Sequence, residues 1–381
     1  MKNKRLLFLG FNKDYVNPYR NTILSILGTF FDITFYGPGY SSEKDLAMGV
    51  STWYKNQFDF DFVMIDNDVA ALEDLKKNSS SLFLMSKIHF NKKIFFDFAD
   101  QFNSFFLEVK SKKIILGNWD AYHMSIEVSS YIEKTKSYVI DFGGHELLYS
   151  ESIAKKNNPN KTIKSNDVWY NFLRKNQERI IAVPHIINSV EFLIKPLELR
   201  KKRFSIIGVG YPERKEASEL MSFMQKVEAF CNKIKPFVRH KLNKSITTKD
   251  FVLYKSNYFA TILDSHLTYC SGGPLMYPVR KYFEILACGS VPIGWPCSGF
   301  SDLGFVDGLN FIVAKKNDDI KKILKTYSLA DLQNIANNGN KLIWSKHSDW
   351  ARTQQLLSTF SLINKGTFKG SFWHLGEYKN R

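Results

Sequence analysis

Tyr277 to Ile293 reads YPVRKYFEILACGSVPI. Physically it is a basic turn, a short helix and then a buried strand. Pro278 pre-sets φ for a first helical turn. Arg280, Lys281 and Glu284 lie three and four apart and share one helix face. Phe283 and Leu286 fall on another face, with Ala287 at its border, and read as core. Cys288-Gly289 stops the helix, glycine being the usual left-handed residue after a helix end. Val291-Pro292-Ile293 opens an apolar strand, where proline is tolerated at the first residues. The small-residue turn Ser271-Gly272-Gly273 lies just upstream. Two cations and one carboxylate beside such a turn suit a phosphate and the hydroxyls of a sugar.

Working outward, the chain reads as strands separated by helical lengths. Arg5 to Gly10 is a buried strand ending in a glycine turn, and Tyr19 to Leu27 is a helix. Further strands are expected at Phe31–Tyr36, Phe60–Ile65, Lys93–Phe98, Lys113–Leu116, Tyr138–Phe142 and within Arg179–Ile187. Near-continuous apolar strands of this kind argue a parallel sheet with helices on both faces. A second α/β unit opens at Phe204–Val209, continues through a helix from Lys215 to Phe230, and is expected to have another strand at Phe259–Leu263. Asn310–Val313 is a further strand, and Asp318–Leu324 and Ser328–Ile343 are helices, with Ser328 as an N-cap. The 381 residues fit two domains. The linker is placed at Lys195 to Arg203.

KYFEILACGSVPI resembles the sugar-nucleotide segment of GT-B glycosyltransferases, closest to the CgeB-like and exostosin-like branches of the group 1 type. The resemblance covers mainly residues 180–355. It implies two Rossmann-like α/β domains facing a cleft, with a C-terminal helix that crosses back to the first domain. The implied domains are an acceptor-binding unit at 1–195, a nucleotide-sugar-binding unit at 196–340, and a helical segment at 341–381. In those families the glutamate binds the donor's ribose and nearby basic residues bind its diphosphate. Glu284 takes the first role here, and Arg280 and Lys281 take the second. Lys281 stands where arginine is more usual, and Met276 where the wider pattern has a second glutamate. Arg214 matches a basic residue of the loop that approaches the donor phosphates. His347 and Arg352 match a His and an Arg that CgeB-like chains carry near their C-terminal helix.

Glycosyl transfer needs cations for the leaving phosphate. Arg280, Lys281, Arg214 and the amides of Ser271, Gly272 and Gly273 are the candidates, since a Ser-Gly-Gly turn can cradle an anion. An inverting reaction also needs a base for the acceptor hydroxyl. Asp100, Asp120, His123, His145 and Glu146 lie at or beyond expected strand ends of the first domain, where open α/β sheets bind ligands. His145, in Gly143-Gly144-His145-Glu146, and Asp100 rank first. Each has an ordinary alternative as a capping or loop-ordering residue.

Net charge is +16, which suits an anionic partner. The lysines are scattered, which disfavours sequence-specific DNA binding. Cys231, Cys270, Cys288 and Cys297 form no CxxC pair, so neither a zinc site nor a dithiol motif is indicated. Asp59-Phe60-Asp61 and Asp66-Asn67-Asp68 have Asp-x-Asp spacing without a convincing metal site, and no metal or other cofactor is expected. There is no full GxGxxG, no GxxxxGK[ST] and no GxSxG, which disfavours dinucleotide oxidoreductases, P-loop NTPases and α/β-hydrolases. The start MKNKRLLFLGF has too short an apolar run for a signal peptide. No run reaches the ~20 residues of a membrane span. The expectation is a cytoplasmic, metal-independent glycosyltransferase with a nucleotide-sugar donor and a glycan or lipid-linked acceptor. It would serve surface polysaccharide or lipopolysaccharide synthesis, with peripheral contact to an anionic membrane at its inner face. A GT-B sugar-nucleotide epimerase, and a non-catalytic sugar-nucleotide or nucleic-acid binding protein, are the alternatives.

Overall fold

The computed structural model describes residues 4–12, 19–57, 59–66, 92–116, 126–141, 166–207, 212–221, 248–273 and 276–381. The first half alternates strands and helices. Strand β1 (Arg5–Leu9) leads to α1 (Tyr19–Leu27), then to β2 (Asp32–Tyr36), α2 (Glu43–Met48) and α3 (Val50–Lys55). Next come β3 (Phe62–Asp66), α4 (Lys92–Glu108), β4 (Lys112–Leu116), α5 (Ile126–Thr135), β5 (Tyr138–Asp141), α6 (Asn166–Lys175) and β6 (Ile180–Ala182). The strands form one parallel sheet in the order β2-β1-β3-β4-β5-β6.

Both faces of this sheet are covered, which explains the continuous apolar runs. Leu7, Leu9, Val63 and Ile65 point into one core, and Leu6, Phe8, Phe62 and Met64 point into the other. The turn after β1 is close-fitted. A Cβ at Gly37 would lie 2.0 Å from the Gly10 carbonyl oxygen, and Gly37 has φ +141°, so only glycine is at ease there.

The second half has its own parallel sheet in the order β10-β9-β8-β7. Its strands are β7 (Lys202–Ile206), β8 (Ser265–Cys270), β9 (Val291–Gly294) and β10 (Ile312–Val313). Helices α7 (Pro212–Ser218), α8 (Thr248–Leu263) and α9 (Lys281–Ala287) lie between the strands. Helices α10 (Asn317–Thr326) and α11 (Leu329–Leu342) follow β10, and Ser328 caps α11 by accepting from the Asp331 amide at 3.1 Å.

A π-helical turn, Ile343–His347, then carries the chain back into α12 (Asp349–Lys365). Helix α12 returns to the first core. Phe360 packs its ring 5.1 Å from Phe31 and 5.4 Å from Phe62. A hairpin, β11 (Ser371–His374) with β12 (Glu377–Asn380), closes the chain beside β6. There Ser371 Oγ accepts from the Ala182 amide at 2.8 Å, and Trp373 Nε1 donates to the Ala182 carbonyl at 3.0 Å. The α/β class, the two parallel units and the returning helix are as the sequence implied.

Three local expectations are corrected. Lys93–Phe98 is not a strand but part of helix α4. Its aromatic residues recur with helical spacing, so Phe98, Phe102, Phe105 and Phe106 line one buried stripe. Phe259–Leu263 is the end of helix α8, and the strand beside it is Ser265–Cys270. In both places an apolar run long enough for several strand residues also suits a buried helix face, and packing decided for the helix. The C-terminal segment ends in a strand hairpin as well as a helix. The helix expected from Lys215 begins at Pro212 and runs to Ser218; residues 222–247 lie outside the described set.

Candidate functional site

The site sits at the neighbouring carboxyl ends of β7 and β8. Strand β8 ends at Cys270 and passes into Ser271-Gly272-Gly273. The turn is held from within: the Tyr277 amide donates to the Gly272 carbonyl at 3.1 Å, and the Met276 amide donates to the Gly273 carbonyl at 3.0 Å. A Cβ at Gly272 would lie 2.5 Å from backbone atoms of Met276 and Tyr277. Only a residue with no side chain permits so close an approach. Tyr277 and Val279 then pack against the first-half core, so this segment bridges the two halves.

Arg214, near the start of α7, is buried and reaches the same turn. Its Nη2 donates to the Ser271 carbonyl at 3.0 Å and its Nε to Ser271 Oγ at 3.3 Å. Lys281 Nζ donates to the Ile207 carbonyl at 2.8 Å, at the carboxyl end of β7. Burial pushes the Cys270 thiol up to about 12, with Lys281 and Arg214 pulling it down and Glu284 pushing it further up. Lys281, Arg214 and Glu284 thus lie near the end of β8; the sequence spacing groups Lys281 and Glu284 with Arg280, whereas the second cation here, Arg214, comes from α7.

Arg280 is the exception. Its Nε donates to Glu284 Oε1 at 2.6 Å, its Nη1 to the Ile186 carbonyl at 2.6 Å, and its Nη2 to Glu191 Oε2. Burial works against its charge, but Glu284 and Glu191 outweigh it and raise its pKa above the ordinary arginine range. Its donor groups are committed to two carboxylates and a carbonyl. The structure makes Arg280 a clamp between helix α9 and the segment leaving the first half, an arrangement that the sequence spacing does not indicate. The reason is tertiary: Ile186 and Glu191 lie about ninety residues upstream, where helix-face spacing carries no information.

Glu284 is buried and held from two sides, by Arg280 and by Tyr258, whose hydroxyl donates to Oε2 at 2.6 Å. Burial raises the Tyr258 phenol well above its ordinary range, and Glu284 raises it further. Tyr258 and Glu191 are the residues that sequence reasoning missed. Neither carries a local signal, since each meets α9 only through the fold. Glu191 Oε2 also accepts from the Asn188 amide at 3.0 Å, so the oxygen that meets Arg280 is held from a second side.

The acceptor-side candidates stand differently. His145, Asp120, His123 and Glu146 lie outside the described residues. Asp100 lies on helix α4 and is exposed, so the strand-end premise on which it was chosen does not hold. Asp61 pairs with Lys4 at 2.5 Å at the start of β3. Asp66 is fully buried at the other end of β3, paired with Arg20 at 2.7 Å. His347 and Arg352 are both fully buried. The His347 ring stacks 4.7 Å from Trp373, and the Arg352 guanidinium lies 4.8 Å from the same ring. They build the junction under the returning helix, away from solvent.

The fold and this site define an α/β protein with two parallel sheets and a basic, carboxylate-bearing cluster at a strand end. A family model described as glycosyl transferase-like matches residues 179–358. No curated protein matches the chain. Among solved structures, the chain is similar to HepE of Anabaena in complex with UDP and glucose, at 10% identity and a TM-score of 0.48, covering 94% of this chain and 100% of that one. It is also similar to a glycosyltransferase from Rickettsia africae, at 12% identity and 0.47, covering 96% and 99%. An E. coli structure described as trehalose-6-phosphate bound with UDP-2-fluoro glucose follows at 13% and 0.46, covering 95% and 99%. At that distance the likenesses transfer no residue roles.

Proposed function

We propose that this chain moves a sugar from a nucleotide-sugar donor to a glycan or lipid-linked acceptor. The observation that carries this reading is the gathering of Arg214, Lys281, Ser271 and Glu284 at the carboxyl end of β8, inside the segment that matches the family. Arg214 and Lys281 face the leaving diphosphate as negative charge develops on it, with the Ser271–Gly273 amides beside them. Glu284 accepts from the ribose hydroxyls of the donor. Arg280 acts through Glu284 rather than on the donor. His145 is the proposed base that takes the acceptor proton. No metal enters this scheme. Work on a surface polysaccharide or lipopolysaccharide, at the cytoplasmic face of a membrane, is the biological setting that fits such an acceptor. No described helix is long and apolar enough to cross a membrane.

The test is a thermal-shift screen against UDP, GDP, ADP, CMP and TDP, repeated with Glu284→Ala. A ligand at about a hundred times its Kd adds ~2.7 kcal/mol of stability by linkage. One nucleotide should raise Tm, and Glu284→Ala should abolish that rise. If all five nucleotides leave the melting of the folded protein unchanged, the donor-site reading is overturned.

A further inference from the structure

Six of the thirteen exposed large apolar side chains among the described residues fall in two short segments, 190–199 and 344–350. These are the chain's two crossings between the halves. They run side by side. The Ile187 amide donates to the His347 carbonyl at 3.0 Å, the Asp349 amide donates to the Ile187 carbonyl at 3.0 Å, and Ser189 Oγ donates to Asp349 Oδ1 at 2.5 Å. Val190 and Trp350, 83% and 60% exposed, follow Ser189 and Asp349 directly. Trp344, 47% exposed, packs edge-on to Phe192 at 4.9 Å. Ile194, 65% exposed, lines a cavity of about 200 Å³ together with Trp344, Lys195 and Lys341. Ile194 and Trp344 thus share one cavity wall, and Val190 and Trp350 flank the paired crossings, so these apolar side chains are gathered on the crossings rather than scattered over the surface.

The border of this face is basic. Lys195 lines the cavity above and also a neighbouring one of about 510 Å³, which it shares with Lys201 and Lys202. Nearby carboxylates are largely engaged. Asp264 accepts from Lys195 and from the Lys201 amide, and Asp349 accepts from Ser189. Glu198 is the exposed carboxylate of the first crossing.

We infer that this crossover face docks on an anionic phospholipid surface. Indole rings sit at the headgroup level of a bilayer, with one side apolar and one side wet. Lysines at the rim attract anionic headgroups, each contributing about 1 kcal/mol near the surface. A protein partner would call for a larger continuous apolar core with fewer lysines. The face lies outside the donor site, so the inference stands whether or not the nucleotide reading does.

The experiment is flotation of the full chain with phosphatidylcholine vesicles, with and without phosphatidylglycerol. Binding should need phosphatidylglycerol and weaken with salt. Lys341→Glu should weaken it ~fivefold or more, which is the loss of one lysine's contribution. Trp350→Ser, at a side chain 60% exposed, should weaken it further and should remove the blue shift of tryptophan emission seen on binding. Melting curves of both variants should match the parent, showing that the fold is intact. Failure to float with anionic vesicles overturns the inference. So does undiminished flotation of the Trp350→Ser and Lys341→Glu double variant, since attraction would then reside elsewhere on the basic surface. Equal binding to neutral vesicles, or binding to RNA or heparin without vesicle binding, also overturns it.

Discussion

Arg280 holds Glu284 through a 2.6 Å bond from its Nε and, through Nη2, also holds Glu191 of the first crossing. One guanidinium thus ties the proposed donor carboxylate to the segment that leaves the first half. Removing it strands two buried carboxylates. Arg280→Ala should therefore cost ~3–5 kcal/mol in urea denaturation, the penalty for leaving buried charge unpaired. Arg280→Lys cannot reproduce three directed bonds and should recover only part of this. A loss under ~1 kcal/mol would mean that the clamp is not formed in solution.

Tyr258→Phe removes a single hydroxyl that donates to Glu284 at 2.6 Å. Glu284 keeps its bond from Arg280, so the fold should survive at a cost of ~1–3 kcal/mol. The nucleotide-induced rise in Tm should shrink, because the carboxylate is no longer held in one rotamer. An undiminished rise, measured at matched nucleotide excess, would remove Tyr258 from the site.

Gly272→Ala places a methyl group 2.5 Å from the Met276 and Tyr277 backbone. The turn must open to admit it, at ~1–3 kcal/mol. Nucleotide stabilisation should vanish together with the turn. Retained stabilisation in a well-folded variant would mean that the Ser271–Gly273 amides do not contact the ligand.

His185 and His347 are both driven down to about 3 by burial, with Arg280 adding to the effect on the first and Arg352 on the second. Both are neutral in the folded protein and titrate near their ordinary value when unfolded. Stability is therefore full above about pH 6.5 and falls as pH drops toward the folded values, by ~1.4 kcal/mol per pH unit for each histidine. Urea midpoints between about pH 7 and about pH 5 should fall with an uptake of about two protons on unfolding. His347→Gln should reduce that uptake by one. An unchanged slope would contradict a neutral, buried His347.

Phe360 joins the returning helix to Phe30, Phe31 and Phe62. Phe360→Ala should cost ~3–5 kcal/mol, and hydrogen exchange should show α12 opening with the first half rather than with the second. Protection loss confined to the second half would place the helix in the wrong unit.

Local chemistry in the sequence determined much of this protein. Apolar runs such as Leu6–Leu9 specify strands buried on both faces, because alternate residues must each find a core. The helix at Lys281–Ala287, its glycine stop and the Ser328 cap follow from residues within a few positions of one another. So does the proximity of Lys281 and Glu284. Only the tertiary structure decided between strand and helix for Lys93–Phe98, where the aromatic spacing needed a packed face to settle it. It also decided the direction of Arg280. That side chain pairs with Glu191, a carboxylate 89 residues away that also accepts from the Asn188 amide. Helical periodicity reaches three or four residues; the hydrogen bonds that assign Arg280 and Tyr258 span 89 and 26.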